Sequence, residues 1–400
     1  MPFPSNFLAN LTYPHPKVVL ERFLTRVKAR QKSGAGRLWS WRAEISPADL
    51  YCYLGGRFGP PNGAQNFLRG DHSDNLIHWE WVLDHGSGSI HILGMNFRTE
   101  LWITGDLPIS DGDSAELARL IKADFSHYGK KMAVVRKSLE NWIEFVNPYQ
   151  RLRRAVEKMQ VELSGLNLEP ETQKISDVAG GEEFPKKEWE DTLSGYSKGL
   201  GLCFAIRSML PVMAEAYVNF VMFVLMRPEL KTDERLRDNA IRQPIDVRVK
   251  TLHITCIGFT KPIDYSSPEC RAYHTLVNER NDLLHGNVVL EKLRFNEVYF
   301  HGNVPVFKSY RTMWERSVGV EIDAVGLSRL SNEVETVNQF IEYLTTCMDP
   351  RVKEQIARMS EKRDLGWNED TGRIGLLFSD YLVDMHMVLN KSALGTDKDA

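Results

Sequence analysis

Apolar and polar residues alternate at two places early in the chain: Trp39, Trp41, Ala43 and Ile45, then Ile77, Trp79, Trp81 and Leu83. A period of two puts one side of each segment against a core, so residues 38–106 are expected to be mostly strands. Gly86-Ser87-Gly88 is a turn signal, and 90–96 and 101–104 supply further strands. The tryptophans read as the packed face of that sheet. Ahead of it, 17–31 reads as a short amphipathic helix. From 114 to 163 the period becomes helical, through Leu117, Leu120, Ile121 and Phe125, then Val134, Val135, Leu139, Trp142 and Ile143. Pro148 is expected to break or kink that run. The basic residues after it, Arg151, Arg153, Arg154 and Lys158, read as a solvated helix face.

Residues 164–188 are rich in Gly, Pro, Glu and Lys and poor in large apolar groups, which marks a linker. The second half is read as helical. A long helix from about 189 to 227 stops at Pro228, and a second follows near 232–241. Ser267, Pro268 and Glu269 form a helix start, and Gly286 a helix end, which predicts a helix over 268–285. Short strands are expected at 288–295, 298–300 and 304–310, the last two joined by His301-Gly302-Asn303. Leu330, Val334, Val337, Phe340, Ile341 and Leu344 predict a helix over 327–347, and the tail predicts another over 374–389. The class is therefore α+β. Residues 1–163 form a Trp-rich α+β domain, 164–188 the linker, 189–350 a helical domain with a short strand insertion, and 351–400 a C-terminal helical extension.

Composition narrows the function. The chain of 400 residues has an ordinary apolar fraction of 42% and a net charge of −3, without the basic excess of a dedicated duplex-DNA binder. Its five cysteines (Cys52, Cys203, Cys256, Cys270, Cys347) are scattered, with no CxxC pair, and free thiols fit a reducing cytosol. Met1-Pro2-Phe3-Pro4-Ser5-Asn6 lacks the basic and apolar regions of a signal peptide. The apolar run 209–226 is interrupted by Pro211, Glu215 and Asn219, so it reads as a buried core helix and not a membrane span. A cytoplasmic protein is expected.

The chemistry concentrates in Arg280-Asn281-Asp282-Leu283-Leu284-His285-Gly286. At about 100° per residue, Tyr273, Leu276, Val277, Leu283 and Leu284 share an apolar face. His274, Asn278, Asn281 and His285 share another, a polar stripe suited to a half-buried cleft or to self-contact across a two-fold axis. Arg280 falls on the apolar face, where a guanidinium needs a partner or an outward path. One reading supplies the partner from Glu215 as a core ion pair and makes His285 a capping histidine. The other is catalytic. RNA carries its own nucleophile, the 2′-hydroxyl; His285 would move the proton, Arg280 would hold the phosphate, and Asn281 would orient the imidazole or bind an oxygen. Arg280 and His285 lie about 140° apart on an ideal helix. The long arginine has to bend round, or a second copy has to supply part of the site, which favours a homodimer.

Asn278-Glu279-Arg280-Asn281-Asp282-Leu283-Leu284-His285-Gly286 resembles the signature of the HEPN superfamily: an arginine, a polar residue directly after it, and a histidine after a spacing of four to six. Ala214-Glu215-Ala216-Tyr217-Val218-Asn219-Phe220 resembles that family's opening helix. The resemblance covers about 189–347. It implies a small dimerising bundle and metal-independent ribonuclease activity at the dimer interface, often in toxin, antiviral or RNA-processing systems. Arg280, Asn281 and His285 would be catalytic, and Glu215, His274 and Asn278 supporting. Single-stranded or loop RNA is the implied substrate, an antitoxin or other protein an implied partner, and no cofactor is expected. Some family members keep the motif as binding or assembly modules, so a non-catalytic interaction module is the alternative function. A ligand-sensing role for the Trp-rich domain is a further one.

Other patterns carry less. His72, His78, His85 and His91 lie among Asp71, Asp74, Glu80 and Asp84, but without the spacing of a metal motif, and no metal site is expected. The glycine-rich segment 55–63 lacks the Lys-Ser/Thr of a phosphate loop and reads as a flexible loop.

Overall fold

A computed structural model describes every residue except 1, 2, 5, 30–35, 71, 169–185, 289, 310, 313 and 379–400. The fold is α+β, with antiparallel sheets mainly in the first half and helices mainly in the second. Contacts divide the chain into two units, one of residues 1–144 with 366–400, the other of 145–365. The expected linker 164–188 thus falls inside the second unit, and its larger part lies outside the described residues.

The first unit is built on the predicted alternation. Helix α1 (Pro16–Lys28) precedes β1 (Arg37–Trp41); α2 (Pro47–Phe58) and α3 (Gln65–Leu68) follow, then β2 (Trp79–His85), β3 (Gly88–Gly94) and β4 (Thr99–Thr104). The four strands form an antiparallel sheet in the order β1-β4-β3-β2. Gly86 turns β2 into β3 with φ 58°, a left-handed conformation that glycine adopts without steric cost. One face carries Trp39, Trp41, Trp81, Leu83, Ile90, Ile92, Leu101 and Ile103, all buried in one core with residues of α2 and of α4 (Ser114–Lys137). The expectation that 38–106 is mostly strands did not foresee α2. Pro47 at its first turn and the spacing of Leu50, Tyr53 and Leu54 are helical signals that the preceding alternation masked. The glycine-rich segment also differs from its reading. Gly55 and Gly56 lie in α2, and Asn62 is fully buried, its amide exchanging hydrogen bonds with the backbone of Val82 at 2.7 and 2.9 Å.

Residues 142–146, expected to be helical, form strand β5 (Trp142–Val146). Pro148 starts a helix instead of breaking one. Asn147 caps α5 (Pro148–Gly165), accepting from the N–H groups of Tyr149 and Gln150, and proline at a first turn loses no needed donor.

The centre of the second unit is α6 (Lys186–Leu225), which continues through Pro211. Its described span from Glu190 is long and apolar enough to cross a membrane, but more than half of its most apolar window is buried inside the protein. Helices α7 (Pro228–Thr232), α8 (Glu234–Arg242), α9 (Ile245–Thr255) and α10 (Pro268–His285) follow. Then come α11 (Leu290–Leu293), a hairpin of β6 (Val298–His301) and β7 (Val304–Phe307), α12 (Val320–Val325), α13 (Leu330–Thr346) and α14 (Pro350–Ser360). The expected strand at 288–295 is thus a short helical turn where it is described, whereas the hairpin falls where the pattern put it. Residues Ile206, Leu210, Ala214, Val218 and Val221 of α6 meet Tyr273 of α10 and Val337, Phe340 and Leu344 of α13 in one core. The Tyr273 and Phe340 rings stack at 4.0 Å.

After α14, strands β8 (Asp364–Asn368) and β9 (Ile374–Gly375) join β5 in a small sheet, in the order β5-β8-β9. The expected helix over 374–389 therefore begins as strand. Residues 379–389 of it lie outside the described residues.

Candidate functional site

Helix α10 has the limits its caps predict. The Ser267 hydroxyl accepts from the N–H of Cys270 at 3.3 Å, Pro268 fills the first turn, and Gly286 ends the helix at φ 62° with its N–H on the Asp282 carbonyl. Burial of Cys270, Tyr273 and Leu276 fixes the rotation of the helix. The polar stripe is consequently turned outward. His274, Asn278 and His285 are exposed and Asn281 is half-buried, so within one chain the stripe lines an open surface and not a cleft. Leu284, assigned to the core face, is 44% exposed, because that face ends a turn earlier than the wheel extends it.

Arg280 is half-buried. Its Nη1 donates to Asn281 Oδ1 at 2.8 Å, while its Nε is shielded from solvent and has no hydrogen-bond partner. The Arg280–Glu215 pair that one of the two readings supplied does not form among the described residues. Glu215 is bound by Arg248 of α9, which also donates to Asn219 Oδ1 and to the Gln243 carbonyl. Arg248 is buried, so the nearest strong cation had already claimed the carboxylate. The structure brings Arg280 and Asn281 together. His285, at the helix end, makes no hydrogen bond among the described residues, and neither does Asn278; His274 Nδ1 lies 3.4 Å from the Tyr265 hydroxyl. Burial pushes the Tyr265 phenol up to about 12, with the charge of Asp246 adding to it, so it offers no phenolate base.

Immediately before Arg280, Glu279 belongs to a second charge cluster. Arg207 of α6 is buried and donates to both oxygens of Glu333 on α13 at 2.6 Å, to Glu279 at 3.1 Å and to the Val325 carbonyl at 2.8 Å. Burial by itself would lower the Arg207 pKa, but the hydrogen bonds and charge of Glu333, with Glu279, raise it. Arg329 adds a contact to Glu279 at 3.4 Å. This cluster ties α10 to α6 and α13 one residue from the motif arginine. Sequence reasoning found neither Arg207 nor Arg248. The apolar spacing Val249, Leu252, Cys256 could have revealed α9, and Arg207 among buried neighbours was a signal of the same kind as Arg280.

The remaining candidate chemistry is accounted for. No group of three or more metal-ligating side chains occurs among the described residues. His78 bonds Asn96, His85 stacks on Phe7, Asp84 pairs with Arg22, and His91 pairs with Glu80. All five cysteines are free and buried; burial pushes the Cys203 and Cys256 thiols up to about 11, which removes them as thiolate nucleophiles. Comparison with protein-family models, with curated proteins and with solved structures finds no match to this chain.

Proposed function

We propose that the second unit is a HEPN-type, metal-independent endoribonuclease whose site is completed by a second copy of the chain, in a cytoplasmic toxin or antiviral system. The observation that carries the reading is the state of Arg280. Among the described residues, one of its five donors is occupied, through Asn281, and no carboxylate meets it. A phosphate would take the donors left over. Asn281 holds the guanidinium, and His285 on the same helix presents an imidazole to solvent, free to take or give a proton. Because nothing joins His285 to Arg280 within one chain, the arginine of one copy and the histidine of the other are the natural pair around one phosphate. His274 and Asn278 would flank that phosphate on the same stripe. Glu215 is dropped from the supporting set, since Arg248 holds it.

A specific observation favours the second reading, a non-catalytic assembly module. Leu284, Val288, Leu290, Leu293, Phe295, Tyr299, Phe300, Val304 and Val306 are each more than 40% exposed and follow the motif directly in the chain. A run of this kind is what a partner covers. In the nuclease reading the partner is the second copy; in the assembly reading it is another protein, and the imidazole is incidental.

The deciding experiment incubates the protein with single-stranded RNA in the presence of chelator and repeats it with Arg280→Ala and His285→Ala. Cleavage by the wild type and its loss in both variants is expected. Cleavage that persists in His285→Ala would remove the mechanism. An inactive wild type that is also monomeric would remove the composite site.

A further inference from the structure

The sheet of the first unit has a second face. Glu80 and Val82 of β2, Ser89, His91 and Leu93 of β3, and Trp102 and Thr104 of β4 alternate with the core residues and so point away from the core. Helix α1 runs over this face and contributes Val19, Arg22, Phe23, Arg26 and Val27. Between helix and sheet lies a cavity of about 300 Å³, at the small end of the range that small-molecule sites occupy.

Its polar groups are held in place. Glu80 is 4% exposed, and its two carboxylate oxygens accept from the Gln65 N–H at 2.8 Å and contact His91 Nδ1 at 2.8 Å. Asn66 bonds the Glu80 backbone on both sides, and Gly63 sits so close that any side chain there would overlap the carboxylate. Among the described residues His91 Nε2 meets no partner, and the ring borders the cavity. Both fixing contacts belong to the protein, so the imidazole is oriented before any ligand arrives.

The carboxylates in and beside the cavity have partners: Glu80 contacts His91 Nδ1 at 2.8 Å, Asp84 pairs with Arg22 at 2.9 Å, and Glu100 pairs with Arg98 at 2.6 Å. Arg26, half-buried on the cavity wall, has no hydrogen bond or ion pair among the described residues. The walls on either side are apolar: Phe23 and Val27 from α1, Leu93 and the broad face of Trp102 from the sheet. Trp102 is 47% exposed although its indole N–H is tied to Glu100 at 2.9 Å. A fixed indole with an open face and a guanidinium without a partner among the described residues are the components of a site for a flat apolar body with an acidic head.

We infer that this cavity binds a small amphipathic anion, with a carboxylate or phosphate on Arg26 and an apolar body between Phe23 and Trp102. The inference does not depend on the Arg280 motif.

The test titrates the whole protein with 1-naphthoate, 1-naphthyl phosphate and 1-naphthylmethylammonium, following Trp fluorescence and isothermal heat. Saturable binding of at least one of the two anions is expected, and their order tells a carboxylate site from a phosphate site. The cation is expected to bind at least tenfold more weakly. Arg26→Ala, on a partly exposed helix face, is expected to weaken the anion tenfold or more. Leu93→Trp, which fills the cavity and leaves the charges in place, is expected to abolish binding, with the thermal midpoint checked for both variants. Equal binding of the cation, unchanged affinity in Arg26→Ala, or binding that survives in a folded Leu93→Trp would each overturn the assignment, as would the absence of saturable binding by either anion.

Discussion

Arg207 and Arg280 face the same helical core from helices that touch, yet their surroundings are opposite. Arg207 is saturated. Two carboxylates and a carbonyl surround it, and α10, α12 and α13 each supply part of the cage. Arg248 is saturated in the same way, and so in the first unit is Arg57, which meets Asp124, the Tyr53 hydroxyl and the Leu8 carbonyl. Arg280 has one amide oxygen and a shielded, unpartnered Nε. A buried cation is ordinarily matched because desolvation is costly. The exception lies five residues before an exposed histidine, on a helix whose other features are ordinary. Saturated arginines tie elements together; the unsaturated one is available to something the protein does not contain.

The contrast can be broken most directly at Arg207. Arg207→Met leaves Glu333 and Glu279 facing a core without a countercharge and should cost about 3–5 kcal/mol in urea unfolding. A loss under about 1 kcal/mol would show the cage to be dispensable. His285→Ala should leave the urea midpoint unchanged, because the side chain is exposed and without partners. It should lower RNA cleavage by about 100-fold or more, the usual contribution of a proton-transferring group. Arg280→Met replaces a shielded, unmet donor by an apolar chain of similar length. It should change stability by less than about 1 kcal/mol, in either direction, while abolishing cleavage. A loss as large as that of Arg207→Met would place Arg280 among the structural arginines and end the distinction. Asn281→Ala frees the guanidinium and should cost about tenfold in cleavage, with a stability change near 0.5–1 kcal/mol.

The smallest effect concerns the saturated class in the first unit. Burial would raise the Asp124 carboxyl, but hydrogen bonds from Tyr53 and His127 and the charge of Arg57 carry it below its ordinary value. A folded-state pKa below the unfolded one gives stability that is present above about pH 4 and is lost as the pH falls through the folded value. Asp124→Asn should therefore flatten the acid limb of the stability curve below about pH 4. An unchanged limb would show that Asp124 gains nothing from its arginine.

Local order was legible in the chain wherever one segment carries its own instructions. Alternating tryptophans gave the sheet face that is buried, and Ser267-Pro268-Glu269 with Gly286 gave both ends of α10, because capping uses only neighbouring atoms. The same reasoning failed where two signals overlapped. Trp142 and Ile143 continue a helical count and also suit a strand, and the choice rests on β8, more than 200 residues away in the chain, against which β5 pairs. Pro148 was a breaker by rule and a first-turn residue in fact, since Asn147 supplies the cap.

The chain by itself thus determined the α+β class, the motif helix, and the residues that its outer stripe presents. Which carboxylate meets which guanidinium was decided only in three dimensions. Glu215 lies on a helix face shared by Arg248, and Glu279 and Glu333 converge on Arg207 from two helices; pairing depends on distances of a few ångströms that spacing along a chain does not contain. The cavity over the sheet is of the same kind: its walls come from α1 and three strands, which meet only in the folded chain.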